Sequence, residues 1–238
     1  MSLDGQHVVI LGGTSGIGYA VAAATSALGA KVTVVSSRRD NVDRAVDRLP
    51  AGTTGVVADL NDANRIRSVF ADLGALDHLV YTAGEPLLLS PIADVDLDAA
   101  RKFFELRYFS VLAAVQAAAP GLRADGSITL TTGTAGPRPV PGSAVTSSVC
   151  GAVEALTRAL AVELAPIRVN AVMPGVVRSP LWNFPDDLRD QFYSDTAAAT
   201  PLRRIAEVDD IAAAFVFFLT QPHATATILP LDGGAVLA

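Results

Sequence analysis

The chain has 238 residues, of which 50% are hydrophobic and 18% charged, and a formal net charge of −6. That length fits one large α/β domain with a continuous core. The charge balance, with Lys31 and Lys102 as the lysines, excludes a nucleic-acid surface, which needs clustered cations. The lone cysteine, Cys150, excludes an internal disulfide, and no metal-ligand spacing accompanies it, so no metal is expected.

The start of the chain, up to His7, has no basic region and no long apolar run, so a signal peptide is not expected. Apolar stretches at Val111 to Ala119 and Ile211 to Leu219 are too short to span a bilayer. A cytoplasmic protein with no membrane partner is expected. Val8 to Leu11 reads as a first strand, followed by an Ala-rich helix ending near Gly29. Lys31 to Ser36 is a β-branched second strand, and Asn41 to Leu49 a short helix. A third strand follows at Thr54 to Val57, a helix at Asp62 to Leu73, and a fourth strand at His78 to Tyr81. One long helix is predicted over Leu97 to Ala119, stopped by Pro120 and Gly121. Ser127 to Thr131 is the fifth strand, Ser143 to Leu164 a helix, and Ile167 to Val172 the sixth strand. Residues 178–201, rich in proline, read as a mobile segment covering the substrate. Val208 to Leu219 is the last helix and Thr227 to Leu231 the last strand. The alternation predicts a doubly wound, parallel, seven-stranded sheet in a single domain. Such sheets bind ligands outside the carboxyl ends of their strands.

Between the first strand and helix stands Gly12-Gly13-Thr14-Ser15-Gly16-Ile17-Gly18. Glycines there let the backbone turn sharply and approach a pyrophosphate, and the helix N-terminus offers free N–H groups. A triphosphatase loop fits poorly, because Tyr19 stands where that motif needs Lys.

The spacing Gly12-xxx-Gly16-x-Gly18 resembles that of the short-chain dehydrogenase/reductase family, whose fold is of the Rossmann type. The resemblance runs through Asp59-Leu60, Thr82-Ala83-Gly84, Pro174-Gly175 with Val177 and Ser179, and Asp232-Gly233-Gly234. It implies a nicotinamide dinucleotide held by Gly12, Thr14, Ser15, Gly16, Ile17, Gly18, Asp59, Leu60, Ala83, Gly84, Pro174, Gly175, Val177 and Ser179. At the end of the second strand, Ser36-Ser37-Arg38-Arg39 carries hydroxyls and guanidinium groups where an acidic residue would reject a 2′-phosphate. NADP is therefore expected over NAD, with Ser36, Ser37 and Arg38 as its ligands; solvated loop arginines are the alternative.

The family's catalytic pattern is a Tyr-xxx-Lys pair on one helix face, a Ser and an Asn. The corresponding positions here hold Thr146 and Cys150, Gly133, and Arg107. Tyr19, Tyr81, Tyr108 and Tyr193 all lack a Lys four residues on, so the pair is not displaced elsewhere. Candidates for chemistry are Thr146, Arg107 and Tyr193. Cys150 reads better as a small core residue. Glu85, Arg138 and Arg178 belong to the same end of the sheet, and His7, His78 and His223 are expected at the surface. Two readings follow: an NADP-dependent oxidoreductase of a small-molecule carbonyl or alcohol with an unusual proton donor, or a dinucleotide-binding pseudoenzyme acting as sensor or partner subunit. The family commonly pairs its long helices, so a homodimer or homotetramer is expected.

Overall fold

A computed structural model describes residues 2–238. Nine strands occur among them: β1 (His7–Leu11), β2 (Lys31–Ser36), β3 (Thr54–Val57), β4 (Leu76–Tyr81), β5 (Leu122–Thr131), β6 (Arg168–Pro174), β7 (Val177–Arg178), β8 (Ala206–Glu207) and β9 (Ile228–Leu231). Seven form one parallel sheet in the order β3-β2-β1-β4-β5-β6-β9, and β7 pairs with β8 apart from it. The helices are α1 (Gly16–Ala27), α2 (Arg39–Arg48), α3 (Ala63–Leu73), α4 (Leu97–Phe104), α5 (Ser110–Ala118), α6 (Ala144–Glu163), α7 (Asp186–Ala199) and α8 (Val208–Thr220).

Alternate strand residues feed two cores, as the two-residue period of a strand requires. Val9, Leu11, Leu79, Ile128 and Val169 bury against α3, α5 and α6. Val8, Ile10, Val32, Val34 and Val172 bury against α1, α2 and α8. Strand order reverses between β1 and β4, which are hydrogen-bonded neighbours. The crevice beyond their carboxyl ends is where a ligand enters a sheet of this kind. By length and composition α6 could cross a membrane. Its Val149, Val153, Leu156 and Leu160 are instead buried in the core.

Three expectations need correction. The long helix is split: α4 and α5 are joined by a π-helical turn, Glu105–Phe109, in which the Ser110 N–H donates to the Glu105 carbonyl. The Tyr81 hydroxyl donates to the Leu106 carbonyl at 2.6 Å, giving that turn an acceptor-side partner from β4. Residues 178–201 are ordered for much of their length by α7. The third correction is His78, which lies in the sheet at 3% exposure rather than at the surface. Its ring nitrogens meet Ser127 Oγ at 2.8 Å and Gln6 Oε1 at 2.9 Å.

Candidate functional site

A cleft of about 530 Å³ opens at the carboxyl ends of β1, β4, β5 and β6. Its floor is the turn from β1 into α1. Gly12 has φ +86°, and a Cβ on it would lie 2.5 Å from the Ala83 nitrogen. A Cβ on Gly18 would lie 2.3 Å from the Gly12 carbonyl oxygen. Thr82 closes this knot by donating its hydroxyl to the Leu11 carbonyl at 3.1 Å. The backbone can run this close only with glycine at those points. Ser15 does not cap α1 with its side chain, and no acidic residue occupies the first turn. The helix end is thus left to an external anion, which fits a dinucleotide pyrophosphate. Thr14, Ser15, Gly16 and Ile17 line the same wall.

Farther along, Ser36, Ser37 and Arg38 line the cleft beside Asp59 and Leu60. With its amide oxygen turned inward, Asn41 accepts from Arg38 Nε at 3.1 Å and Nη2 at 2.9 Å. Arg39 points along α2 instead and pairs with Asp43 at 3.9 Å. The two neighbouring arginines therefore divide: Arg38 borders the cleft and Arg39 is a solvated helix charge. Asp59 accepts from Asn61 N and Nδ2, both at 3.0 Å. Ala83, Gly84, Pro174, Gly175, Val177 and Ser179 complete the wall.

At the other end lie Arg107, Gly133, Thr146 and Cys150. Thr146 is buried and its hydroxyl donates to the Leu88 carbonyl at 2.7 Å. Burial pushes the Cys150 thiol above its ordinary pKa, against a smaller opposing effect of Arg107. A Cβ on Gly133 would sit 3.4 Å from Cys150 Sγ. Tyr193 is not part of this cleft: it is 4% exposed, under the Arg178 guanidinium at 4.6 Å. It lines a neighbouring hollow with Arg178, Ser179, Pro180 and Trp182, outside the cleft itself. Arg178 also pairs with Glu207 at 3.1 Å, and Arg138 donates to the Ala235 carbonyl. Of the arginines considered at this end, Arg107 alone borders the cleft among the described residues.

Sequence reasoning passed over Asn41, Phe103, Thr134 and Trp182, which also line the cleft. The Thr134 hydroxyl has no protein partner among the described residues. Trp182 is held by donating its indole N–H to the Val177 carbonyl at 3.0 Å and by packing on Phe192. Its place just after Ser179 was the available signal, since that serine already belonged to the expected cofactor wall.

The family model described as enoyl-(acyl carrier protein) reductase matches residues 12–236. Short-chain dehydrogenase/reductase ATR9 of Stachybotrys chlorohalonatus is 33% identical, covering 99% of both chains. A crystal structure of a small-chain dehydrogenase in complex with NADPH is 33% identical, with a TM-score of 0.88 over 99% of this chain and 100% of that one. The structure of MalC reductase/Diels-Alderase from Malbranchea aurantiaca is 28% identical, with a TM-score of 0.93 over 99% and 98% of the two chains. Fold, cleft and likeness along nearly the whole length agree: the chain belongs to the short-chain dehydrogenase/reductase family, and it is an oxidoreductase of that type.

Proposed function

We propose that the protein is an NADP(H)-dependent oxidoreductase that interconverts a carbonyl and an alcohol without the Tyr-Lys pair of its family. The observation that carries this reading is a single cleft reaching from Arg38 to Arg107, Thr146 and Cys150. The NADPH complex of the similar small-chain dehydrogenase supports the choice of NADP. When bound, the dinucleotide supplies hydride to the carbonyl carbon, or accepts it in the reverse direction. The chain's own residues hold the two reactants together and exclude water through Leu87, Val149, Val153 and Trp182. Thr146 has committed its proton to Leu88, and Cys150 remains a neutral thiol near pH 7. The proton that the product alkoxide needs therefore comes from water, with the free Thr134 hydroxyl able to donate a hydrogen bond to the carbonyl oxygen.

The test is titration with NADPH and NADH, followed by a turnover screen with carbonyl compounds and alcohols. Tighter binding of NADPH and slow, measurable turnover are expected. A missing general acid typically removes about 10²–10⁴-fold in rate. NADPH binding with no turnover for any substrate would overturn the enzyme reading in favour of a dinucleotide-binding sensor or partner subunit.

A further inference from the structure

The guanidinium of Arg107 is placed with unusual care. It lies over the Phe103 ring, with Cζ 4.8 Å from the centroid. It also covers Gly84: a Cβ there would meet Nη2 at 2.8 Å and both Cζ and Nη1 at 2.9 Å. Nη2 donates to the Glu85 carbonyl. Nε stands 3.6 Å from Glu85 Oε2, beyond hydrogen-bond distance, and both atoms are buried without a hydrogen-bond partner. Nη1 has no protein partner among the described residues. A planar group packed between fixed neighbours, with donors unspent, is built to receive a planar acceptor.

Its electrostatic surroundings favour an anion. The charged residues lining the cleft are Arg38, Asp59 and Arg107 among the described residues, and the first two stand beside Ser36, Ser37 and Leu60 at the far end. The ionisable groups acting on Arg107 are Glu85, Cys150 and Tyr81. Burial keeps the thiol and the phenol neutral near pH 7, and it pushes the Glu85 carboxyl upward as well. Glu85 pairs with the guanidinium from one side, 3.6 Å from Nε, and leaves Nη1 without a partner among the described residues. Around it the walls are apolar: Leu87, Leu106, Val149, Val153, Leu181 and Trp182.

We propose that Arg107 is a specificity-determining residue, which binds the carboxylate of a substrate whose remaining body, apart from the reactive carbonyl, is apolar. This rests on the oxidoreductase reading for the word substrate, but the binding does not depend on turnover. An isolated carboxylate in an apolar cleft would be strongly disfavoured without such a partner. Arg107 is already desolvated and oriented, so the ligand meets a prepared site.

Trp182, the single tryptophan of the chain, borders the cleft and reports binding by its fluorescence. The probes are 4-acetylbenzoate and 4-acetylbenzamide, which share a shape and differ in charge, titrated into the full chain with and without NADP⁺. The acid is expected to bind about 10- to 100-fold more tightly than the amide, the worth of one charged hydrogen-bonded contact. Arg107→Gln should erase the difference, Arg107→Lys should keep part of it, and Glu85→Gln should enlarge it. Equal affinities in the unaltered protein, a preference that survives Arg107→Gln, or no quenching by either probe at millimolar concentration would overturn the assignment. Should Arg107→Gln fail to fold, an unchanged preference in Glu85→Gln overturns it. Acid binding without carbonyl reduction would count against the oxidoreductase reading and leave this one standing.

Discussion

Arg38 and Arg39 show what one position along a turn decides. Both suit a 2′-phosphate by chemistry. Only Arg38 borders the cleft, and Asn41 steadies it there. Arg38→Ala should therefore cut NADPH affinity by roughly 1.5–3 kcal/mol, the cost of one charged hydrogen-bonded contact, while leaving NADH nearly untouched. Arg39→Ala should change neither. Parallel titrations of the two variants check this, and an unchanged NADPH preference in Arg38→Ala would remove the residue from the cofactor's account. The positions to which the family resemblance assigns catalysis behave differently. Thr146 and Cys150 stand one helical turn apart on the cleft face of α6, where a phenol and an ammonium would act together. Thr146→Tyr, Cys150→Lys, Gly133→Ser and Arg107→Asn combined should raise NADPH oxidation with an uncharged carbonyl compound, which does not call on Arg107, above that of the unaltered protein. Single replacements should do little, since such groups act as a unit. A Cβ at Gly133 would stand 3.4 Å from Cys150 Sγ, an ordinary contact, so the backbone there accepts Gly133→Ser. A combined variant that folds, binds NADPH and gains no activity would speak against the family alignment of these four positions.

At the scale of elements, the turn between α4 and α5 shapes the active end. Residue patterns over Leu97 to Ala119 read as one helix because side-chain periodicity survives a single widened turn. The cause lies elsewhere in the chain, in the Tyr81 hydroxyl that bonds the Leu106 carbonyl. No local signal announces a partner 25 residues away. Tyr81→Phe should cost about 1–3 kcal/mol of stability by leaving that acceptor unpaired. It should also weaken any ligand held by Arg107, because the turn orients both. Urea unfolding with the midpoint and slope fitted separately measures the first effect. A variant as stable as the parent would mean that the turn is set by other contacts. The same contrast runs through the chain. The glycine turn and the alternation of strands and helices were legible because each depends on residues close in sequence. Tyr193 and α7 were not, since the prolines of residues 178–201 resemble those of a loop and the Tyr193 ring packs under Arg178 at the other end of that segment.

For the molecule as a whole, Leu97 at 64% exposure, Phe109 at 51% and Val162 at 80% leave apolar surface on or beside α4 and α6. Leu97 and Phe109 lie on α4 and the turn after it, and Val162 on α6, the two segments whose pairing is expected to make a homodimer or homotetramer; light scattering that gives a monomer at micromolar concentration would sink it. Acid stability is set by a different feature, inside the sheet. His78 joins β4 to Ser127 of β5 and to Gln6, far from the cleft end of the strands. Burial, aided by Arg168 and opposed by Asp77 and Asp125, lowers its pKa from 6.5 to about 4. The folded state therefore holds the ring neutral where the unfolded chain would protonate it. Protons bind more to the unfolded state between those two values, so stability is complete above pH 6.5 and falls as the pH drops toward about 4. At about 1.36 kcal/mol per unit, the loss across that window approaches roughly 3 kcal/mol. His78→Gln removes the titrating ring and keeps a polar side chain between Ser127 and Gln6. Its stability should be lower than the parent's at pH 7.5, where the parent's hydrogen bonds are intact, yet decline less steeply on acidification. The measurement is the urea midpoint of both proteins at several pH values from about 4 to about 7.5, spanning the titration window set by the shifted and ordinary histidine pKa. Parallel curves for parent and variant would show that His78 is not the group whose protonation loosens the sheet.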